Sequence, residues 1–123
     1  MFPFSQVFDA SGRLLVSRST PEALEQAFLT DEMIDWRRGV FCGADFGGIT
    51  LIKRDFSRCV FGAVSFRGAK ICDCNFTGAK LQGADFSHSQ LYRTNFARAK
   101  LAKANFNGAT LSSVDLTGAN LAK

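Results

Sequence analysis

Every fifth residue from Phe41 to Leu121 is Phe, Leu or Ile. The run is seventeen positions long without a slip, and Trp36 extends its register one step earlier. A period of five matches neither the 3.6 of a helix nor the 2 of a flat strand. It demands a chain that turns a corner every five residues and stacks on itself, which is a solenoid. With 123 residues the chain suffices for one domain. Solenoids present extended faces rather than deep clefts. Function is therefore to be sought on outward side chains.

The surroundings of each large apolar centre fix the geometry. Two residues before it stands a small residue, as in Ala44, Cys59, Ala69, Cys74, Ala79, Ala84, Ala99 and Ala109. One residue before it stands a polar one, often Asp or Asn. Two residues after it stands Gly at 43, 48, 68, 78, 83, 108 and 118. Side chains alternate along extended chain, so the centre and the small residue share the inner side. The glycine position permits a tight bend. Taken at a step of twenty, the centres sort by type. Phe46, Phe66, Phe86 and Phe106 form one column, and Trp36, Phe56, Phe76, Phe96 and Leu116 a second. Leu51, Ile71, Leu91 and Leu111 form a third, and Phe41, Phe61, Leu81, Leu101 and Leu121 the fourth. A step of fifteen mixes Phe with Leu, and two walls per turn leave no room for a core. The expectation is an all-β solenoid with four walls per coil and two aromatic columns facing each other.

Segments such as Ala79-Lys-Leu-Gln-Gly83, Ala84-Asp-Phe-Ser-His88 and Ala104-Asn-Phe-Asn-Gly108 carry a resemblance. Residues 39–123 resemble the pentapeptide-repeat proteins, whose loose motif is small, Asp or Asn, Leu or Phe, polar, Gly. The resemblance implies a right-handed quadrilateral parallel β-helix, here of about four coils, roughly 20 Å long at the strand spacing. Ile49 and Arg54 depart from the motif in the small inward slot. The wall near 47–58 is expected to bulge or to turn Arg54 outward.

The ends differ. Residues 1–35 are expected to form an N-terminal β-hairpin/α-helix cap over a β-helix of residues 36–123. Gln6–Ala10 and Arg13–Ser17 suit two short strands around Ser11-Gly12. Thr20 and Pro21 suit the start of a helix over about 21–29, with Leu24, Ala27 and Phe28 as its apolar stripe. Several short bacterial pentapeptide-repeat proteins are similar in this arrangement. No such lid is expected after the last coil. Phe106, Leu111, Leu116 and Leu121 would then lie open, and the expectation is a homodimer through this C-terminal coil.

Catalysis finds little support. His88, the single histidine, falls on an outward position beside Ser87 and Ser89, where a catalytic triad lacks a pocket. The glycines recur as corners, not as a phosphate loop. Cys59 and Cys74 fall in inward slots as small hydrophobes. Cys72-Asp73-Cys74 is too tight for a zinc pair. Neither a metal nor a cofactor is expected.

Charge is uneven. Residues 1–40 carry four basic against six acidic side chains, a net of −2, and residues 41–123 carry eleven against five, a net of +6. Lys80, Tyr92, Arg93, Arg98, Lys100 and Lys103 make the candidate interaction surface, with Tyr92 and Arg93 flanking the others. That surface suits a protein partner or, as a second option, nucleic acid, although one aromatic is a thin stacking platform. Some members of the family that this chain resembles bind DNA gyrase as acidic mimics of a duplex. The resemblance implies that role here as an alternative, and a positive rod disfavours it. With no stretch of roughly 18 apolar residues and no secretory leader, a non-membrane, cytoplasmic location is expected. The favoured reading is a non-catalytic interaction or scaffold module.

Overall fold

The structure, a computed structural model, describes residues 7–8, 11–12, 14–16, 22–24 and 35–121. Its regular elements are β1 (Val7–Phe8), β2 (Leu14–Val16), β3 (Thr50–Ile52), β4 (Lys70–Cys72), β5 (Gln90–Tyr92) and β6 (Thr110–Ser112). Strands β3 to β6 pair in parallel, in chain order, as one four-stranded sheet. Each pairing advances the chain by twenty residues: Leu51 lies beside Ile71, Ile71 beside Leu91, and Leu91 beside Leu111.

Three more ladders keep that step. Val40, Val60, Lys80, Lys100 and Asn120 bridge in sequence, as do Asp45, Ser65, Asp85 and Asn105, and Asp55, Asn75, Asn95 and Asp115. Four ladders sharing one step mean four faces per coil, and the chain is a right-handed four-sided parallel β-helix. Each face is named here by its first repeat centre: the Phe41, Phe46, Leu51 and Phe56 faces follow one another around the coil. The Phe46 and Phe56 faces are opposite each other, as are the Phe41 and Leu51 faces.

The interior follows the columns. Every centre from Phe41 to Leu101 is buried. Phe46, Phe66, Phe86 and Phe106 stack with ring centroids 4.7, 4.9 and 5.0 Å apart and planes within 12°. Phe56, Phe76 and Phe96 stack at 5.4 and 5.1 Å. Across the coil the two columns meet edge to face, Phe66 to Phe76 at 5.7 Å and Phe86 to Phe96 at 5.6 Å. Stacking along the axis and T-shaped contact across it satisfy the ring quadrupole in both directions.

Corners close in two ways. At the Phe41 face the amide of Ala44 donates to the carbonyl of Phe41 at 2.9 Å. The residue two after the centre, Gly43, has φ 73°. This is a hydrogen-bonded turn with a left-handed third residue, the type II pattern. The same position is left-handed in every repeat from 38 to 118, and at ten of these it is not glycine. At the Leu51 face the inward slot supplies side-chain bonds instead. Thr94 Oγ1 donates to the carbonyls of Tyr92 at 3.0 Å and Ile71 at 3.4 Å, and Cys74 Sγ lies 3.5 Å from the carbonyl of Cys72. Here the extended segment is three residues long, and the result is a flat sheet.

The expected bulge near 47–58 is absent. Ile49 is buried in the inward slot, and Thr50–Ile52 pairs with Lys70–Cys72 without a shift. Arg54 is half-buried, and its carbonyl accepts from Asn75 at 2.9 Å, so the ladder passes through it intact. The slot at 49 takes a larger side chain where the same slot one coil on holds Ala69.

Near the N-terminus β1 and β2 pair antiparallel, within the two expected strands. Phe8 bridges antiparallel to Val40, which adds β1 to the Phe41 face. Val7 and Leu24 are buried in the core, and residues 22–24 are helical. The remainder of the expected helix, with Thr20, Pro21, Ala27 and Phe28, lies outside the described residues.

Candidate interaction surfaces

The outward positions divide by face. On the Phe46 and Phe56 faces the residue before each centre is Asp, Asn or Ser, and it is engaged locally. Oδ1 of Asp45, Asp55, Asn75, Asp85, Asn95, Asn105 and Asp115 accepts the amide two residues on at 2.8 to 3.0 Å. These Asx turns hold the corner. Asp85 and Asp115 consequently have carboxyls held below their ordinary range, chiefly by bonds from Ser87 and Thr117. The same positions on the Leu51 and Phe41 faces hold Thr, Lys, Gln and Val, which make no such turn, and Asn at 120. Those two faces are freest to carry recognition.

On the Leu51 face the outward centre line of the sheet runs Ile52, Cys72, Tyr92, Ser112. Ile52 is 52% exposed, and Cys72 and Tyr92 are half-buried. At the corner, Arg93 grips Asp73 through two bonds of 2.8 and 3.1 Å. This holds the Asp73 carboxyl below and the Arg93 guanidinium above their ordinary ranges.

The opposite Phe41 face carries Val40, Val60, Lys80 and Lys100 in one ladder, with Gly62, Ala63, Gln82, Ala102 and Lys103 around them. It bears no carboxylate among the described residues. Arg98 sits at its corner with the Phe56 face, in left-handed conformation at φ 56°.

The expected surface therefore separates. Lys80, Arg98, Lys100 and Lys103 come together, but Tyr92 lies on the opposite face. Arg93 lies across the Phe56 face from Arg98 and is paired with Asp73. Residue counting along the chain places 92 and 93 close to 98 and 100; the coil turns two corners, at Arg93 and Arg98, between Tyr92 and Lys100. The basic cluster thus lacks an aromatic. The motif leaves the position after each centre unspecified and so gives no signal for the stripe from Ile52 to Tyr92, although the step of twenty that sorts the centres also aligns 52, 72 and 92.

At the far end the core opens. Leu91 and Leu101 are buried, whereas Leu111, Leu116 and Leu121 are 47%, 36% and 52% exposed, and Phe106 is half-buried. Burial stops with the coil that has no described neighbour.

The serine–histidine neighbourhood has no triad geometry. Ser87 Oγ accepts from Arg67 Nη1 at 2.8 Å, and Ser89 Oγ donates to the carbonyl of Phe86 at 2.6 Å. The His88 ring lies over Gly108, where a Cβ would come within 2.7 Å of Nδ1. The inward thiols are quiet: burial pushes Cys59 up to about 12 and Cys74 to about 11. Among the described residues no three His, Cys, Asp or Glu side chains gather as metal ligands. No helix there is long and apolar enough to cross a membrane.

With four-sided coils, stacked rings and Asx corners in place, the sequence profile of the pentapeptide repeat region matches residues 35–123. The chain belongs to the pentapeptide repeat family. Among solved pentapeptide repeat proteins it is similar to HetL of the cyanobacterium Nostoc sp. strain PCC 7120, involved in heterocyst differentiation regulation. That match has 22% identity over 68% of this chain and 47% of HetL, with a TM-score of 0.39. It is similar to a pentapeptide repeat protein of the Arabidopsis thaliana thylakoid lumen, with 31% identity over 69% and 65% of the two chains and a TM-score of 0.30. It is also similar to QnrB1, a plasmid-mediated fluoroquinolone resistance protein, with 23% identity over 65% and 58% and a TM-score of 0.32. The matched part spans less than two thirds of each of these pentapeptide repeat chains. No curated protein matches the sequence.

Proposed function

We propose that this pentapeptide repeat protein is a non-catalytic interaction module whose protein partner docks on the flat Leu51 face. The observation that carries this reading is the in-register stripe of Ile52, Cys72 and Tyr92 on the four-stranded sheet, with Ile52 52% exposed. A large aliphatic side chain held out on a rigid sheet, in line with Cys72 and Tyr92 on the next two strands and with Lys53, Lys70 and Arg93 at the margins, has the anatomy of an interface: apolar centre, polar rim. A β-helix needs no rearrangement to present it, so little ordering entropy opposes docking.

The test is affinity capture from nuclease-treated extract of the source cells. Wild type and a Lys80→Glu/Lys100→Glu variant should retain one protein partner that Ile52→Asp loses. Retention by Ile52→Asp, with loss in the lysine variant, would transfer the function to the basic face and to nucleic acid.

A second copy is the proposed partner of the last coil. The exposure of Leu111, Leu116 and Leu121, against full burial of Leu91, supports that reading. Light scattering should give twice the chain mass, and Leu116→Asp should return it to one. A wild-type monomer at high micromolar concentration would remove the idea.

A further inference from the structure

A recess of about 540 Å³ opens on the first three turns of the Phe56 face, lined by Asp35, Arg37, Arg38, Ser57, Arg58, Asn75 and Thr77. Its size falls within the roughly 300–1,000 Å³ of small-molecule sites, yet its lining is almost wholly polar, which excludes an apolar ligand. Its chemistry is asymmetric. The carboxylate of Asp35 is occupied by Arg37, which donates its amide, Nε and Nη2 at 3.0, 2.9 and 2.8 Å. Those bonds hold the Asp35 carboxyl down at about 2. Asn75 Oδ1 accepts both the amide and the hydroxyl of Thr77, at 2.9 and 2.6 Å. This turns the Asn75 NH₂ group, a pure donor, away from the corner. Asp55, one ladder position above Asn75, is occupied by the amide of Ser57 at 3.0 Å and adds to the charge field of Arg37.

Two guanidiniums remain. Arg38 and Arg58 occupy the same corner of successive coils, both left-handed at φ 58° and 59°. Their amides are pinned to the carbonyls of Ser57 and Thr77 at 2.9 and 2.8 Å. Neither side chain enters an ion pair among the described residues. Below them the corner is Gly78. A Cβ there would lie 3.3 Å from Arg58 Cγ, so the glycine gives the Arg58 stem its room. Two like charges are thus launched from one edge at about the strand spacing of 4.8 Å, beside the hydroxyl of Ser57 and the Asn75 NH₂. Among the described residues the lining offers donors and little side-chain acceptor capacity. The ligand that matches is acceptor-only, doubly charged and tetrahedral.

We propose that this recess binds a phosphoryl group, carried by a small phosphoester, with Arg38 and Arg58 straddling its oxygens. The site is separate from both the Leu51 face and the last coil, and it stands whether or not those take partners.

Arg98 supplies a matched control. It occupies the same column, is left-handed at φ 56°, and covers Gly118 as Arg58 covers Gly78, but it does not line the recess. Phenyl phosphate is titrated into labelled protein and followed by NMR. Saturable binding is expected, with shifts at Ser57, Arg58 and Thr77. Arg58→Gln should weaken it about tenfold or more, the usual loss of a charge-assisted bond, while Arg98→Gln leaves it unchanged. Arg58→Gly, which relieves the left-handed backbone, serves should the Gln variant fold poorly. Vesicles containing phosphatidate separate the two sources of a phosphomonoester. Co-sedimentation lost in Arg58→Gln assigns a lipid headgroup and overturns the small soluble ligand, whereas phenyl phosphate binding without co-sedimentation supports it. Equal losses in the Arg58 and Arg98 variants, or stronger binding of duplex DNA that depends on both, would overturn the site in favour of diffuse polyanion attraction. Absence of saturable binding by phenyl phosphate would also overturn it.

Discussion

The Leu51 and Phe41 faces lie back to back on one coil, follow one five-residue rule and bury the same kind of residue. Outside they have little in common. The Leu51 face is a regular four-stranded sheet with an apolar line and an acid–base pair at its corner. The Phe41 face is made of isolated bridges and closed turns. It carries small residues and unopposed lysines. The inward rule leaves three of every five positions unspecified. Asx turns then bind one of those three on the other two faces. Recognition is therefore most free to diversify where the residue before the centre is unconstrained.

The largest contrast between inside and outside is chemical. Cys42 is exposed on the Phe41 face and Cys72 half-buried on the Leu51 face, while Cys59 and Cys74 point inward. With Cys59 at about 12, its thiolate fraction at pH 8 is about three orders of magnitude below that of an ordinary thiol. Disulfide-exchange reagent should modify Cys42 first, Cys72 more slowly, and the inward pair only on unfolding. Fast labelling of Cys59 would mean that the assignment of sides is wrong.

In the core the two faces should be alike. Ile71→Ala and Leu81→Ala should each lower stability by about 2–5 kcal/mol, read from urea midpoints, because both side chains are fully buried. A cost below about 1 kcal/mol at only one of them would show that its face is not packed as described. The corners should differ again. Thr94→Val removes the hydroxyl bond to the Tyr92 carbonyl and should cost about 1 kcal/mol. Ala104, at the Phe41-face corner after Leu101, closes through its amide to the Leu101 carbonyl at 3.0 Å and has no side-chain bond to lose. The smallest effect belongs to the exposed pair: Arg93→Ala should destabilise slightly in low salt and not at all in high salt.

Much of this fold is legible from one chain because the repeat encodes it seventeen times. The step of twenty emerged from sorting Phe against Leu, and the ring stacks of 4.7 to 5.4 Å are its physical cause. The surfaces are less legible. Tyr92 and Lys100 are eight residues apart in sequence but on opposite faces, since two corners intervene. Ile49 and Arg54 break the motif without breaking the ladder: Ile49 is buried in its slot with Thr50–Ile52 in register, and the Arg54 carbonyl still accepts from Asn75. Arg38 and Arg58 were hidden by their position: the motif expects glycine there, and only the geometry shows that two such arginines border a recess.

Residues twenty apart are neighbours on one face, on both sides of the rod. Cysteine pairs in a cysteine-free background test this directly. Lys80→Cys with Lys100→Cys, and Gln90→Cys with Thr110→Cys, stand one strand spacing apart on opposite faces, about 4.8 Å and within disulfide reach. Both should oxidise rapidly and completely within a single chain. Lys80→Cys with Asn95→Cys, fifteen apart and on different faces, should stay reduced. Closure of the fifteen-residue pair, or failure of either twenty-residue pair in folded protein, would contradict the four-sided coil and the division of faces built on it.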